Sequence, residues 1–115
     1  MKLNRKLEIG INAVKALKDK SGPTKVADMT NEVGTTVNFL EQVMRNLKLA
    51  GIVSVKRGPG GGYQLNRSNG VVTAMQVAEA VGCRPEQLIP SEGYELSTVD
   101  RLKNAVADAF NNTAI

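Results

Sequence analysis

The chain has 115 residues, 42% of them hydrophobic, a net charge of +4, one cysteine and neither histidine nor tryptophan. That length suits one domain around one modest core, and the core must be aliphatic because Phe39, Tyr63, Tyr94 and Phe110 are the only aromatics. The longest charge-free stretch, Ser68 to Ala78, is eleven residues and includes polar side chains, too short for a bilayer span of roughly 17–25 residues. Lys2, Arg5, Lys6 and Glu8 precede no apolar run, so no signal peptide is expected. A lone Cys83 cannot form an intrachain disulfide, and a cytoplasmic chain is the default.

The charge is unevenly placed. Residues 1–70 hold twelve Lys/Arg against five Asp/Glu, whereas residues 71–115 hold three against six. A basic front of +7 and an acidic back of −3 suggest a polyanionic partner for the first part and another role for the second.

In chain order, Leu3, Leu7, Ile11, Val14 and Leu17 recur at helical spacing, with Asn4 placed to cap the start and "KSGP" at 20–23 to end the helix. A shorter helix buries Val26, Met29 and Val33 and stops at Gly34. Thr36 then reads as the N-cap of a third helix, with Val37, Leu40, Met44 and Leu47 facing inward and Gly51 closing it. Two helices joined by a short glycine-containing turn make a helix-turn-helix candidate. Outward on the third helix lie Thr35, Asn38, Glu41, Gln42 and Arg45, side chains able to read base edges.

"IVSVK" and "YQLNR" read as strands around Gly58–Gly62, four glycines and a proline, so this stretch is a hairpin tip. A phosphate-binding P-loop would need Gly-Lys-Ser/Thr opening a helix, but Gly62 is followed by Tyr63, a strand former. The dinucleotide pattern GxGxxG fails as well, with Tyr63 in the third glycine's place. Thr73 and Gln76 form a capping box on a fourth helix ending at Val81. A loop with Pro85, Pro90 and Gly93 follows. The last helix runs from about Thr98 to Asn111 and shows Leu102, Ala105, Val106, Ala109 and Phe110 on one side.

Three helices and a hairpin are the winged helix-turn-helix order, in which the third helix enters the major groove and the hairpin rests beside it. Glycine at the tip lets backbone approach a sugar-phosphate wall closely. Arg57 is then placed for the minor groove and Lys56 for a phosphate.

"FLEQVMRNLKLAGIVSVKRGPGGGYQL", with "MKLNRKLEIGINAV" and "SGPTKVADMT" before it, resembles the regulator family that includes the iron–sulfur cluster regulator IscR, the nitric-oxide-sensing repressor NsrR and the cysteine-metabolism regulator CymR. The match covers about residues 1–82. It implies a mainly α fold with a small β-hairpin and a homodimeric, DNA-binding transcriptional regulator, usually a repressor, acting on a palindromic operator. It also implies that Thr35, Thr36, Asn38, Glu41, Gln42 and Arg45 face DNA, with Lys56, Arg57, Gly58, Pro59, Gly60 and Gly61 as the wing. The family's C-terminal helix builds the dimer. That role would fall to Leu102, Ala105, Val106, Ala109 and Phe110. The division expected is a DNA-binding domain at 1–82, a connecting loop at 83–97, and a dimerisation helix and tail at 98–115; the other reading folds the last helix back over the first.

Cluster-binding members carry three cysteines before the dimerisation helix. This chain has Cys83 alone and no histidine, short of the roughly four ligands an iron–sulfur cluster takes. No cofactor or metal is therefore expected, and any effector is unidentified. Cys83 is a candidate redox switch if Arg84 favours its thiolate; otherwise it is an incidental small side chain. An adaptor of the same fold, binding mainly another protein, is the alternative function. With no histidine, no GxSxG and no metal-ligand spacing, an enzyme has no support.

Overall fold

The computed structural model describes residues 4–89 and 96–115. Helix α1 (Arg5–Lys18) starts where the Asn4 side chain accepts from the backbone N–H groups of Lys6 at 2.9 Å and Leu7 at 3.4 Å, pairing donors that a helix start leaves free. Leu7, Val14 and Leu17 are buried as expected, and Ile9, Ala13 and Ala16 join them, while Ile11 is half-buried. The extra burial has a simple cause: α1 packs against several neighbours, so one stripe does not suffice. Leu3 lies outside the described residues.

The expected short helix is a 3-10 turn (Val26–Asp28) followed by a single turn, α2 (Thr30–Val33), ended by Gly34 at φ 86°. Val26, Met29 and Val33 are buried. Helix α3 (Val37–Leu49) follows a tight turn and inserts Leu40, Val43, Met44 and Leu47 into the core, all fully buried.

Strands β1 (Val53–Lys56) and β2 (Gly62–Leu65) pair antiparallel, from Val53 opposite Leu65 to Lys56 opposite Gly62. An isolated antiparallel bridge from Thr24 joins β2 on its outer side, unforeseen in the sequence. Thr24 N–H donates to Tyr63 O at 2.8 Å, and Tyr63 N–H returns a bond to Thr24 O at 2.9 Å. Helix α4 (Ala74–Ala80) opens on the expected capping box: Gln76 N–H donates to Thr73 Oγ1, and Thr73 N–H to Gln76 Oε1. Gly10 lets α4 lie against α1, since a Cβ there would sit 2.8 Å from Val77 Cγ1.

The segment expected to be a loop at 83–97 contains a 3-10 turn (Pro85–Leu88), and α5 (Leu96–Asn112) starts within it. The chain's end is stitched to the body: Ala74 N–H donates to Thr113 O and Ile115 N–H to Val72 O, both at 2.8 Å. Phe110 and Ile115 pack against the core, and Val99 on α5 is 2% exposed. The described fold is mainly α with one two-stranded hairpin, a winged helix-turn-helix carrying a further helix.

Candidate nucleic-acid interface

The turn between α2 and α3 is fixed from both sides. From α1, the Arg5 guanidinium donates to Gly34 O at 2.8 Å, and Asn12 Nδ2 donates to Val33 O at 3.5 Å. Within the turn, Thr36 Oγ1 accepts from Phe39 N–H at 3.2 Å, making the expected N-cap. These bonds fix where α3 begins and how its first turn sits on the body.

With Leu40, Val43, Met44 and Leu47 inside, Thr36, Asn38, Gln42 and Arg45 are exposed and Thr35 and Glu41 half-buried. All six sequence-predicted residues of this helix and its cap therefore share one surface region. One expectation is corrected: Val37, expected inward, is 45% exposed, and Val43 fills the core position instead. Val37 has the right angular position but sits in the first turn, beyond the reach of the packing helices.

In the wing, Lys56, Arg57, Gly58, Pro59 and Gly60 are exposed. Gly61 is not. It is buried in the turn, where its N–H donates to Gly58 O at 3.0 Å and a Cβ would collide with the Lys56 carbonyl. Gly61 thus belongs to the wing as expected but closes its turn from inside, which corrects its expected role as a DNA-facing residue.

Tyr63 reads in the sequence only as a strand former, and its place beside the α3 side chains was missed. It is half-buried where the wing meets α3. Burial pushes its phenol pKa up, the Glu41 carboxylate adds to this, and Arg45 opposes it. The phenol therefore stays a neutral hydrogen-bonding group in the electrostatic reach of two α3 side chains. Among the described residues, ion pairs join Arg5 to Glu8 at 3.3 Å and Lys20 to Glu32 at 3.0 Å. Neither involves Arg45, Lys48, Lys56 or Arg57, so these cations keep their charge available to an outside anion.

The α5 stripe divides. Leu102 is 41% exposed and Ala105 and Ala109 are exposed, whereas Val106 and Phe110 are half-buried, Phe110 against the protein's own core. Phe110 is thereby half-committed within the chain, which corrects its expected place on a wholly free face. Cys83 is 5% exposed, and burial, reinforced by Glu86, pushes its thiol pKa up. Of the two readings of Cys83, this favours the incidental small side chain over a thiolate held by Arg84: the sulfur packs as a small apolar group.

A family model described as Rrf2, iron-dependent transcriptional regulator, matches residues 3–114. The chain belongs to the Rrf2 family. The transcriptional regulator IscR of Cronobacter sakazakii is 39% identical over 66 residues, covering 57% of this chain and 41% of that protein. IscR of Klebsiella pneumoniae is likewise 39% identical over 66 residues, with 40% of its length covered. The chain spans about two fifths of the length of the curated relatives it matches. Among solved structures, CymR, the global cysteine regulator of B. subtilis, superposes with a TM-score of 0.77 at 24% identity, covering 99% of this chain and 92% of that one. IscR of T. potens gives 0.79 at 22% identity, covering 99% and 82%. At such identities the superpositions establish the Rrf2 fold.

Rrf2 proteins are transcriptional regulators, not enzymes, which favours a regulator over an adaptor. The family description mentions iron, and the donors here do not fit an iron–sulfur cluster. The single thiol is packed into the core with a raised pKa, the sequence has no histidine, and among the described residues no three metal-ligating side chains converge.

Proposed function

We propose that this Rrf2 chain binds double-stranded DNA sequence-specifically as a homodimeric repressor, without a resident iron–sulfur cluster, in the cytoplasm. The observation that carries the reading is the joint exposure of Asn38, Gln42 and Arg45 on α3 beside a wing whose cations have no ion pair among the described residues. No helix among the described residues is long and apolar enough to cross a membrane.

Roles follow from hydrogen-bonding capacity. Asn38 and Gln42 suit adenine, Arg45 suits the paired acceptors of guanine, and Glu41 accepts from cytosine N4. The exposed Val37 offers an apolar contact for a thymine methyl. Thr36 uses one lone pair on its cap and keeps its O–H for a phosphate, as does Thr35. Lys56 sits on a phosphate, Arg57 reaches the minor groove, and Gly58, Pro59 and Gly60 bring backbone close to the sugar-phosphate wall. Leu102, Ala105 and Ala109 on α5, with Val106 at their edge, supply the dimer contact, so that two α3 helices meet half-sites about one helical turn apart.

The test is a gel shift of the region upstream of the protein's own gene, with a scrambled duplex of equal length as competitor, because small repressors often control themselves. A shift resisted by the scrambled competitor supports the reading. Equal competition by both duplexes would remove sequence-specific recognition.

A further inference from the structure

The Thr24–Tyr63 bridge changes which cations belong to the wing. It is antiparallel, so pairing Thr24 with Tyr63 sets Lys25 opposite Gly62, which on its other side pairs with Lys56. Lys25, Gly62 and Lys56 therefore line up in one row across the bridge and the hairpin. Two interstrand spacings of roughly 4.8 Å separate the lysine backbones by about 10 Å. Lys25 is extended, at φ −73° and ψ 144°, so its side chain leaves the face opposite Thr24 and Tyr63. Lys56 likewise alternates with Val55, the partner of Tyr63. The two lysines thus share a face, and that face is not the one packed on the core.

The residue between them is glycine for a reason. Gly62 has φ 147°, and a Cβ there would lie 2.5 Å from the Thr24 carbonyl carbon and 2.9 Å from Lys25 N. Only the missing side chain lets the two segments close up. Lys25 and Lys56 are exposed, and neither has an ion pair among the described residues, in contrast to Lys20, which Glu32 neutralises at 3.0 Å.

We infer that Lys25, thirty-one positions before Lys56 in sequence, is a second phosphate-binding residue of the wing. The two cations grip neighbouring phosphates of the DNA strand along the wing beside its turn, while Gly62 keeps the floor between them low. The inference rests on the DNA-binding reading above. It deepens that reading by making the segment before α2 part of the backbone grip.

The experiment measures binding of the full chain to a random-sequence duplex by fluorescence anisotropy over a salt series, so no operator is needed. Removing one cation from a phosphate lowers the slope of log K against log salt by about 0.9. Lys25→Ala should lower it by that amount, Lys25→Arg should restore it, and Lys25→Ala with Lys56→Ala should lower it by about twice as much. A wild-type protein with no salt-dependent binding would sink DNA binding itself. A salt-dependent wild type with an unchanged Lys25→Ala slope, or a Lys25→Arg variant that fails to restore it, overturns this inference alone.

Discussion

Helices α3 and α5 are both amphipathic, yet they spend their apolar faces differently. On α3 the apolar side is consumed inside the chain: Leu40, Val43, Met44 and Leu47 have no exposed surface. Among the described residues of α5 only Val99 is comparably buried, Phe110 is half-committed, and Leu102, Ala105 and Ala109 remain outside. A helix whose apolar face is satisfied locally is free to present its polar face to a ligand. A helix with apolar surface left over fits the proposed dimer, in which a second copy of α5 would supply the same stripe.

The sharpest way to break this contrast is to truncate one apolar residue from each helix. Leu40→Ala should destabilise the protein by about 2–5 kcal/mol, the usual cost of a cavity at a fully buried leucine. Leu102→Ala should stay within about 0.5 kcal/mol for the isolated fold. Urea unfolding of both at one low protein concentration makes the comparison, since dimerisation would otherwise add concentration-dependent stability. Equal losses would mean that α5 is an internal helix.

The converse experiment leaves the fold and removes the proposed partner. Leu102→Asp should give a monomer by light scattering at tens of micromolar, with far-ultraviolet dichroism unchanged. Its affinity for a two-half-site duplex should fall steeply and that for a half-site little. A variant that remained dimeric would move the interface elsewhere.

On the polar face of α3, Arg45→Ala should lose about 1–3 kcal/mol on a selected duplex and relax preference at one or two base positions, with little loss on random DNA. Thr36→Ala should be milder for stability, about 1 kcal/mol by denaturant titration, because one helix cap is removed. Equal loss on selected and random duplexes by Arg45→Ala would leave α3 without a reading role.

Much of this was legible because it is local chemistry. Asn4, Thr36 and the Thr73–Gln76 box cap their helices as their side chains dictate. The wing was legible because Tyr63 after the glycines demands a strand. What escaped depends on distant neighbours. Thr24 reads as loop in "SGPTK", and only its pairing with Tyr63, 39 residues on, ties it to the hairpin. Periodicity put Val37 inside and Phe110 outside, because a stripe carries angle but not where the packing partner begins and ends.

Cys83 illustrates the same limit. Its neighbour Arg84 suggests a thiolate, but burial and Glu86 decide the opposite. Since the folded state holds that proton more tightly than the unfolded chain, the contribution is complete below the ordinary thiol range and is lost as pH rises through the raised folded value. The smallest effect follows: slow reaction of the native thiol with a disulfide reagent at pH 8, becoming fast in urea. Fast native labelling would show an accessible thiolate.

The most direct measurement is selection from a random duplex pool, run in parallel on the wild-type protein and Gln42→Ala and read by sequencing. The wild type should enrich a two-fold symmetric site with half-sites about one helical turn apart, and Gln42→Ala should lose preference at a symmetric pair of positions while keeping the spacing. No enrichment by the wild type, or identical sites from both proteins, would contradict base reading by this face of α3.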